Sequence, residues 1–121
     1  MGVFRILFLA LAFCASNPAR AQDIWVPDGD TLHLDRKPIR LEGIDAPEMG
    51  QTCRTEDGHA FDCGALARRA LLKILKAGPI TCSAAGTDLY ARTLGHCRAG
   101  GVDVNQAMVA RGFARAYVRY S

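Results

Sequence analysis

Apolar and polar positions alternate with period two in the first part of the chain. Ile24-Trp25-Val26 is a short run of β-formers, which Pro27-Asp28-Gly29 breaks as a turn. Thr31-Leu32-His33-Leu34 alternates and predicts a strand, and Asp35-Arg36-Lys37-Pro38 predicts a second turn. Ile39 to Ile44 alternates again, with Ile39, Leu41 and Gly43 on one face and Arg40, Glu42 and Ile44 on the other. Asp45 to Asp62 reads as a polar loop, long enough that a staple or a function is expected of it. The period then becomes helical from Gly64 to Ala77. Leu66, Ala70 and Ile74, with Leu71 and Leu75, make an apolar stripe, and Arg69, Lys73 and Lys76 a basic one. Asp62 is placed to cap that helix and Gly78 to end it. Pro79 to Ala84 predicts a strand, Ala85 to Asp88 a turn, and Tyr90 to Arg98 the returning strand. Asp103-x-x-Gln106 opens a short helix that Gly112 ends, and Phe113 to Tyr120 reads as extended or irregular.

Three strands, a helix, two strands and a helix suit a mostly β fold: a five-stranded barrel of the oligonucleotide/oligosaccharide-binding (OB) type, with the first helix plugging one end. That order alone fits a binding module as readily as an enzyme.

The opening segment stands outside this pattern. Met1 to Arg5 ends in a positive charge, Ile6 to Ala15 is almost wholly apolar but too short to span a bilayer, and Ala19-Arg20-Ala21 offers small residues two apart. Residues 1–21 therefore read as a secretory signal peptide, with Gln22 as the mature N-terminus and 22–121 as one domain. No other segment is apolar enough to span a membrane. Of the five cysteines, Cys14 lies in the leader. Cys53, Cys63, Cys82 and Cys97 remain, an even number in an exported small domain, which favours two disulfides. Three pairings are possible. The preferred one joins Cys53 to Cys63, across a short loop, and Cys82 to Cys97, across a hairpin. Zinc is disfavoured, because there is no Cys-x-x-Cys and His59 and His96 lack ligand spacing.

The net charge of +3 says little, but its distribution says more. Acidic residues outnumber basic ones from Gln22 to Cys63. From Gly64 onward the arginines and lysines face only Asp88 and Asp103. An acidic half could hold a cation and a basic half phosphates. Three clusters could carry that chemistry: Asp28-Gly29-Asp30-Thr31; Ile39 to Glu48, with Arg40 near its start and Asp45-Ala46-Pro47-Glu48 at its end; and Asp88-Leu89-Tyr90-Ala91-Arg92. Singly, each is explained as a turn, a surface salt-bridge cluster or a hairpin.

Together, and with Asn105, Val109-Ala110-Arg111-Gly112 and Ala116-Tyr117, the clusters resemble the staphylococcal nuclease (thermonuclease) family from about Val26 to Tyr120. The resemblance implies the five-stranded barrel and a Ca²⁺ site. Asp30 and Asp45 would bind the ion through carboxylates and Ala46 through its main-chain carbonyl, as suits a hard cation. Glu48 would orient or deprotonate the attacking water. Arg40 and Arg92 would grip the scissile phosphate with guanidinium forks, and Tyr90 and Tyr117 would contact nucleotide. The implied activity is an endonuclease hydrolysing DNA and RNA to 3′-phosphate ends, with single strands favoured. It would act as an exported, periplasmic or secreted monomer with no stable protein partner. No role falls to the histidines. Ala46, Ala91 and Leu89 depart from the family pattern. Ala91 would be strained if its position needs a positive φ. The chain also stops where relatives continue into another helix. The competing readings are a non-catalytic nucleic-acid-binding module and an inactive truncated form.

Overall fold

A computed structural model describes residues 2–3 and 21–117. The predicted signal peptide therefore lies almost wholly outside the described residues, as do residues 118–121. Among the described residues no helix is long and apolar enough to cross a membrane.

The predicted meander forms as β1 (Ile24–Asp28), β2 (Thr31–Leu34) and β3 (Lys37–Leu41), paired antiparallel in that order. Asp35 and Arg36 connect β2 to β3 with φ of 49° and 69°, the two positive values that a tight twisted hairpin turn requires. β3 ends sooner than the alternation predicts. Gly43 has φ 76° and turns the chain, so Ile44 goes into the core instead of sharing the outer face with Arg40. Ile44–Asp45 forms the short β4, which pairs with β10 (Arg115–Ala116) near the end of the chain.

The expected polar loop contains its own hairpin, β5 (Thr52–Arg54) and β6 (Ala60–Asp62). The Cys53–Cys63 disulfide ties it to the start of α1 (Cys63–Leu75). Asp62 caps α1 as predicted, its carboxylate accepting from the Ala65 N–H. The buried stripe of α1 is Ala67, Leu71, Ile74 and Leu75. Leu71, Ile74 and Leu75 are buried as predicted, whereas Leu66 is more than a third exposed and Ala70 only half-buried, and Ala67 completes the buried face instead. Gly78 does not end α1 through a left-handed cap. It is a point of close approach, where an added Cβ would lie 2.7 Å from the Gly100 Cα.

β7 (Ile80–Thr87) and β8 (Thr93–Ala99) form the predicted second hairpin, bridged by Cys82–Cys97. β9 (Val102–Asp103) leads into α2 (Val104–Ala110). Asp103 caps α2 through the Gln106 N–H and also meets His96 Nε2 at 2.8 Å. The main sheet has the order β1-β2-β3-β8-β7, with β3 and β8 parallel. The fold is the OB-like one expected, but the sheet is not closed: its path ends at β1 and β7. Gln22 spans the gap with its side-chain amide, which donates to the Ile80 carbonyl and accepts from the Ile80 N–H, each at 2.8 Å. Leu32, Leu41, Leu71, Met108 and Val104 fill the core between the curled sheet and both helices.

Candidate active site

The end of β3, the turn before β8 and the segment of β10 converge on one cleft of about 440 Å³. Arg40, Asp45, Tyr90, Arg92 and Tyr117, all singled out in the sequence, line it. Each is placed by a separate device. Arg40 is on β3, and its guanidinium folds over the Gly43 turn, donating to the carbonyls of Leu41 and Ile44 at 2.9 Å. That turn is held from beneath by buried Asn105. Its side-chain amide donates to the Glu42 and Gly95 carbonyls and accepts from the Cys97 N–H. Tyr117 follows β10, and its N–H donates to the Gly43 carbonyl at 2.6 Å.

Arg92 depends on Asp88, to which the sequence assigned no separate role. The Asp88 carboxylate accepts from the backbone N–H groups of Tyr90 and Arg92, and from Arg92 Nε at 2.6 Å. Desolvation pushes the Asp88 carboxyl up. The hydrogen bonds from Arg92 and Tyr90, with the Arg92 charge, outweigh it and hold the group below the usual carboxylate range. Holding Nε fixes the plane of the guanidinium and leaves its outer edge for an anion. Ala91, inside this turn, has φ 61°, so the positive φ that its position demanded is present and alanine adopts it. Arg92 also lies 5.6 Å from the centre of the Tyr90 ring, a cation–π contact, while Tyr90 itself is 82% exposed.

The candidate cation ligands adjoin the cleft. Asp30 is 8% exposed and sits in the β1–β2 turn. Its carboxylate accepts from the Ala46 N–H at 2.9 Å and lies 3.3 Å from Arg40 Nη2, which is also 3.7 Å from Asp45. Burial pushes the Asp30 carboxyl up to about 6; the Ala46 N–H opposes the shift, the hydrogen bond with Asp28 adds to it, and Arg40 opposes it. A buried carboxylate beside a second one, Asp45, offers the oxygen donors a hard divalent cation takes, and such an ion would favour the ionised form that burial penalises. Among the described residues no three acidic, histidine or cysteine side chains converge on one point. The protein ligands that the resemblance implies would be Asp30, Asp45 and the main-chain carbonyl of Ala46.

Glu48 is not among the cleft-lining residues. It lies on the exposed loop after Ala46, and its main chain is clamped by Gln51, whose side chain accepts from the Glu48 N–H while its own N–H donates to the Glu48 carbonyl. Two glycines that sequence reasoning passed over set this loop against α1. A Cβ at Gly64 would stand 1.9 Å from the Glu48 carbonyl oxygen. One at Gly29 would stand 2.6 Å from the Ala67 Cβ and 2.9 Å from the Ala46 Cβ. The only signal in the sequence was glycine at a turn and at a helix start, which many folds share.

Comparison with known proteins follows the same lines. A family described as staphylococcal nuclease homologue matches residues 38–121. The chain is similar to a succinoglycan biosynthesis protein, ExoI, of Rhizobium meliloti, with 41% identity over 91 residues, 74% of this chain and 48% of that protein. It is also similar to a protein of Haemophilus influenzae described as an uncharacterized endonuclease, with 30% identity over 121 residues, 96% of this chain and 62% of that protein. The chain thus spans about half to three-fifths of the length of these curated relatives.

Proposed function

The chain belongs to the family of staphylococcal nuclease homologues, and from that premise we propose that it is a calcium-dependent endonuclease hydrolysing phosphodiester bonds of DNA and RNA. The observation that carries the proposal is the pairing of two arginines, Arg40 and Arg92, with Asp45 in one cleft, beside the buried Asp30. Two arginines suit the two non-bridging oxygens of a phosphodiester. Carboxylates beside them would repel that anion unless a cation intervened, so a module that only bound phosphate would gain nothing from them.

Arg40 and Arg92 hold the phosphoryl group and stabilise the charge that gathers on its oxygens in the five-coordinate transition state. A bound calcium ion would supply further positive charge at the same oxygens. Glu48, three residues beyond the cleft-lining Asp45, accepts a proton as the water oxygen bonds to phosphorus. The bond to the 5′ oxygen breaks, that oxygen takes a proton from solvent water to become a hydroxyl, and a 3′-phosphate remains. Tyr90 and Tyr117 flank the cleft and orient the adjoining nucleotide. Losing one arginine costs about 3–4 kcal/mol of barrier.

Export belongs to the same proposal. The charged, apolar and small-residue sequence before Gln22 supports it, and two disulfides suit an oxidising compartment, periplasmic or extracellular. Cleavage of single-stranded DNA by the oxidised protein, with Ca²⁺ or with a chelator, tests the activity. Glu48→Gln and Arg92→Ala should each abolish most of a calcium-dependent rate. A cooperatively folded chain that cleaves nothing would refute hydrolysis and favour the binding-module reading.

A further inference from the structure

Trp25 is the one tryptophan of the chain and is 55% exposed. It lies across from His33 in the β1–β2 ladder, with ring centres 4.5 Å apart and planes tilted by 57°. His33 in turn pairs with exposed Pro38 of β3. Side chains two apart on a strand share a face, so this row lies on the same face as Arg40. The parallel register sets Ile39 against Thr93, so Pro38 falls level with Arg92, where β8 begins. Trp25, His33 and Pro38 therefore form a row across three strands that leads to the turn carrying Arg92. With strands about 4.8 Å apart, the aromatic pair is on the order of 10–15 Å from that turn.

We infer that Trp25 and His33 form a base-stacking subsite for single-stranded nucleic acid, outside the cleft and continuous with it. A cross-strand pair accounts for the contact between the rings, but not for the large indole face left in water. Charge does not select the ligand here. Arg36 and Lys37 at the β2–β3 turn are offset by Asp35 and by Asp23, which lies 3.9 Å from Arg36. The recognition is stacking, which every base can satisfy and which a duplex denies because its bases are already stacked. The subsite rests on nucleic acid being the ligand of the Arg40–Arg92 cleft, not on hydrolysis occurring there.

The test uses the fluorescence of Trp25 and a short single-stranded oligodeoxynucleotide with calcium in the Glu48→Gln background, so that little is cut while the cation is present. Binding should quench the tryptophan. In Trp25→Ala, the affinity for a labelled oligonucleotide, read by anisotropy, should fall about 5- to 100-fold, and Trp25→Phe should recover much of the loss. Melting curves show that each variant is folded. With calcium and Glu48 intact, the ratio of kcat/KM for the oligonucleotide to that for a dinucleotide should fall by a similar factor in Trp25→Ala. Binding without quenching, or a folded Trp25→Ala protein that binds like the parent, overturns the subsite. Quenching without hydrolysis under any condition upholds the subsite and refutes the nuclease reading, whereas hydrolysis without quenching refutes the subsite alone.

Discussion

Replacing Asp30 by asparagine should stabilise the metal-free protein while destroying its activity. The Asp30 carboxyl is pushed up from 3.8 to about 6, first by burial. Between those two values the folded state binds more protons than the unfolded state, so this group's contribution to stability falls as pH rises from about 4 to about 6 and then levels off. The full difference is worth about 3 kcal/mol. Asparagine keeps an oxygen to accept from the Ala46 N–H and gives an N–H₂ group that can face Asp28, but it loses the attraction of Arg40. A net gain of about 1–3 kcal/mol in chelator at pH 8 is expected, or about 5–15 °C in Tm for a domain of this size. Linkage gives the shape of the effect: the advantage of the variant grows by about 1.4 kcal/mol between pH 5 and pH 8. Calcium should raise the Tm of the parent by mass action and leave the variant nearly unmoved. Paired thermal melts at the two pH values, with and without calcium, measure all of this. A variant that melts below the parent at pH 8, or a gap that does not grow with pH, would refute the argument from burial.

Gln22→Ala removes both hydrogen bonds to Ile80 and should cost about 1–3 kcal/mol in denaturant unfolding, with faster amide exchange at Ile80. Ala91→Gly relieves a left-handed residue at some cost in chain entropy, for a net gain of about 0.5–1 kcal/mol at equilibrium, and Arg92 should stay in place as read by an unchanged KM. Gly64→Ala drives a methyl group into the Glu48 carbonyl. It should cost about 1–3 kcal/mol by thermal melt and reduce kcat more than it raises KM, because the displaced loop carries the proposed base.

Elements that rest on local chemistry were legible from the residues alone. Period-two alternation marked β2 and much of β3, helical spacing marked α1, and Asp62 and Asp103 marked the helix starts, because a strand, a helix and a cap are each decided within a few residues. The three clusters pointed to Arg40, Asp45, Tyr90 and Arg92 together, and the structure gathers these and Tyr117 around one cleft. Features that depend on contacts between distant segments emerged only once the chain was packed. Ile44 turned inward because Gly43 bends the chain and β10 pairs with β4. Ala67, and not Leu66 or Ala70, joined Leu71, Ile74 and Leu75 on the buried face of α1 because packing against the sheet, and not apolar spacing alone, chooses that face. The hairpin inside the polar loop, the clamp of Gln51 on Glu48 and the close approach of the Glu48 carbonyl to Gly64 are local in sequence only in part. Each is fixed by what α1 and the Cys53–Cys63 bond leave room for. The raised Asp30 carboxyl is a consequence of burial, and burial exists only once the chain has closed around it.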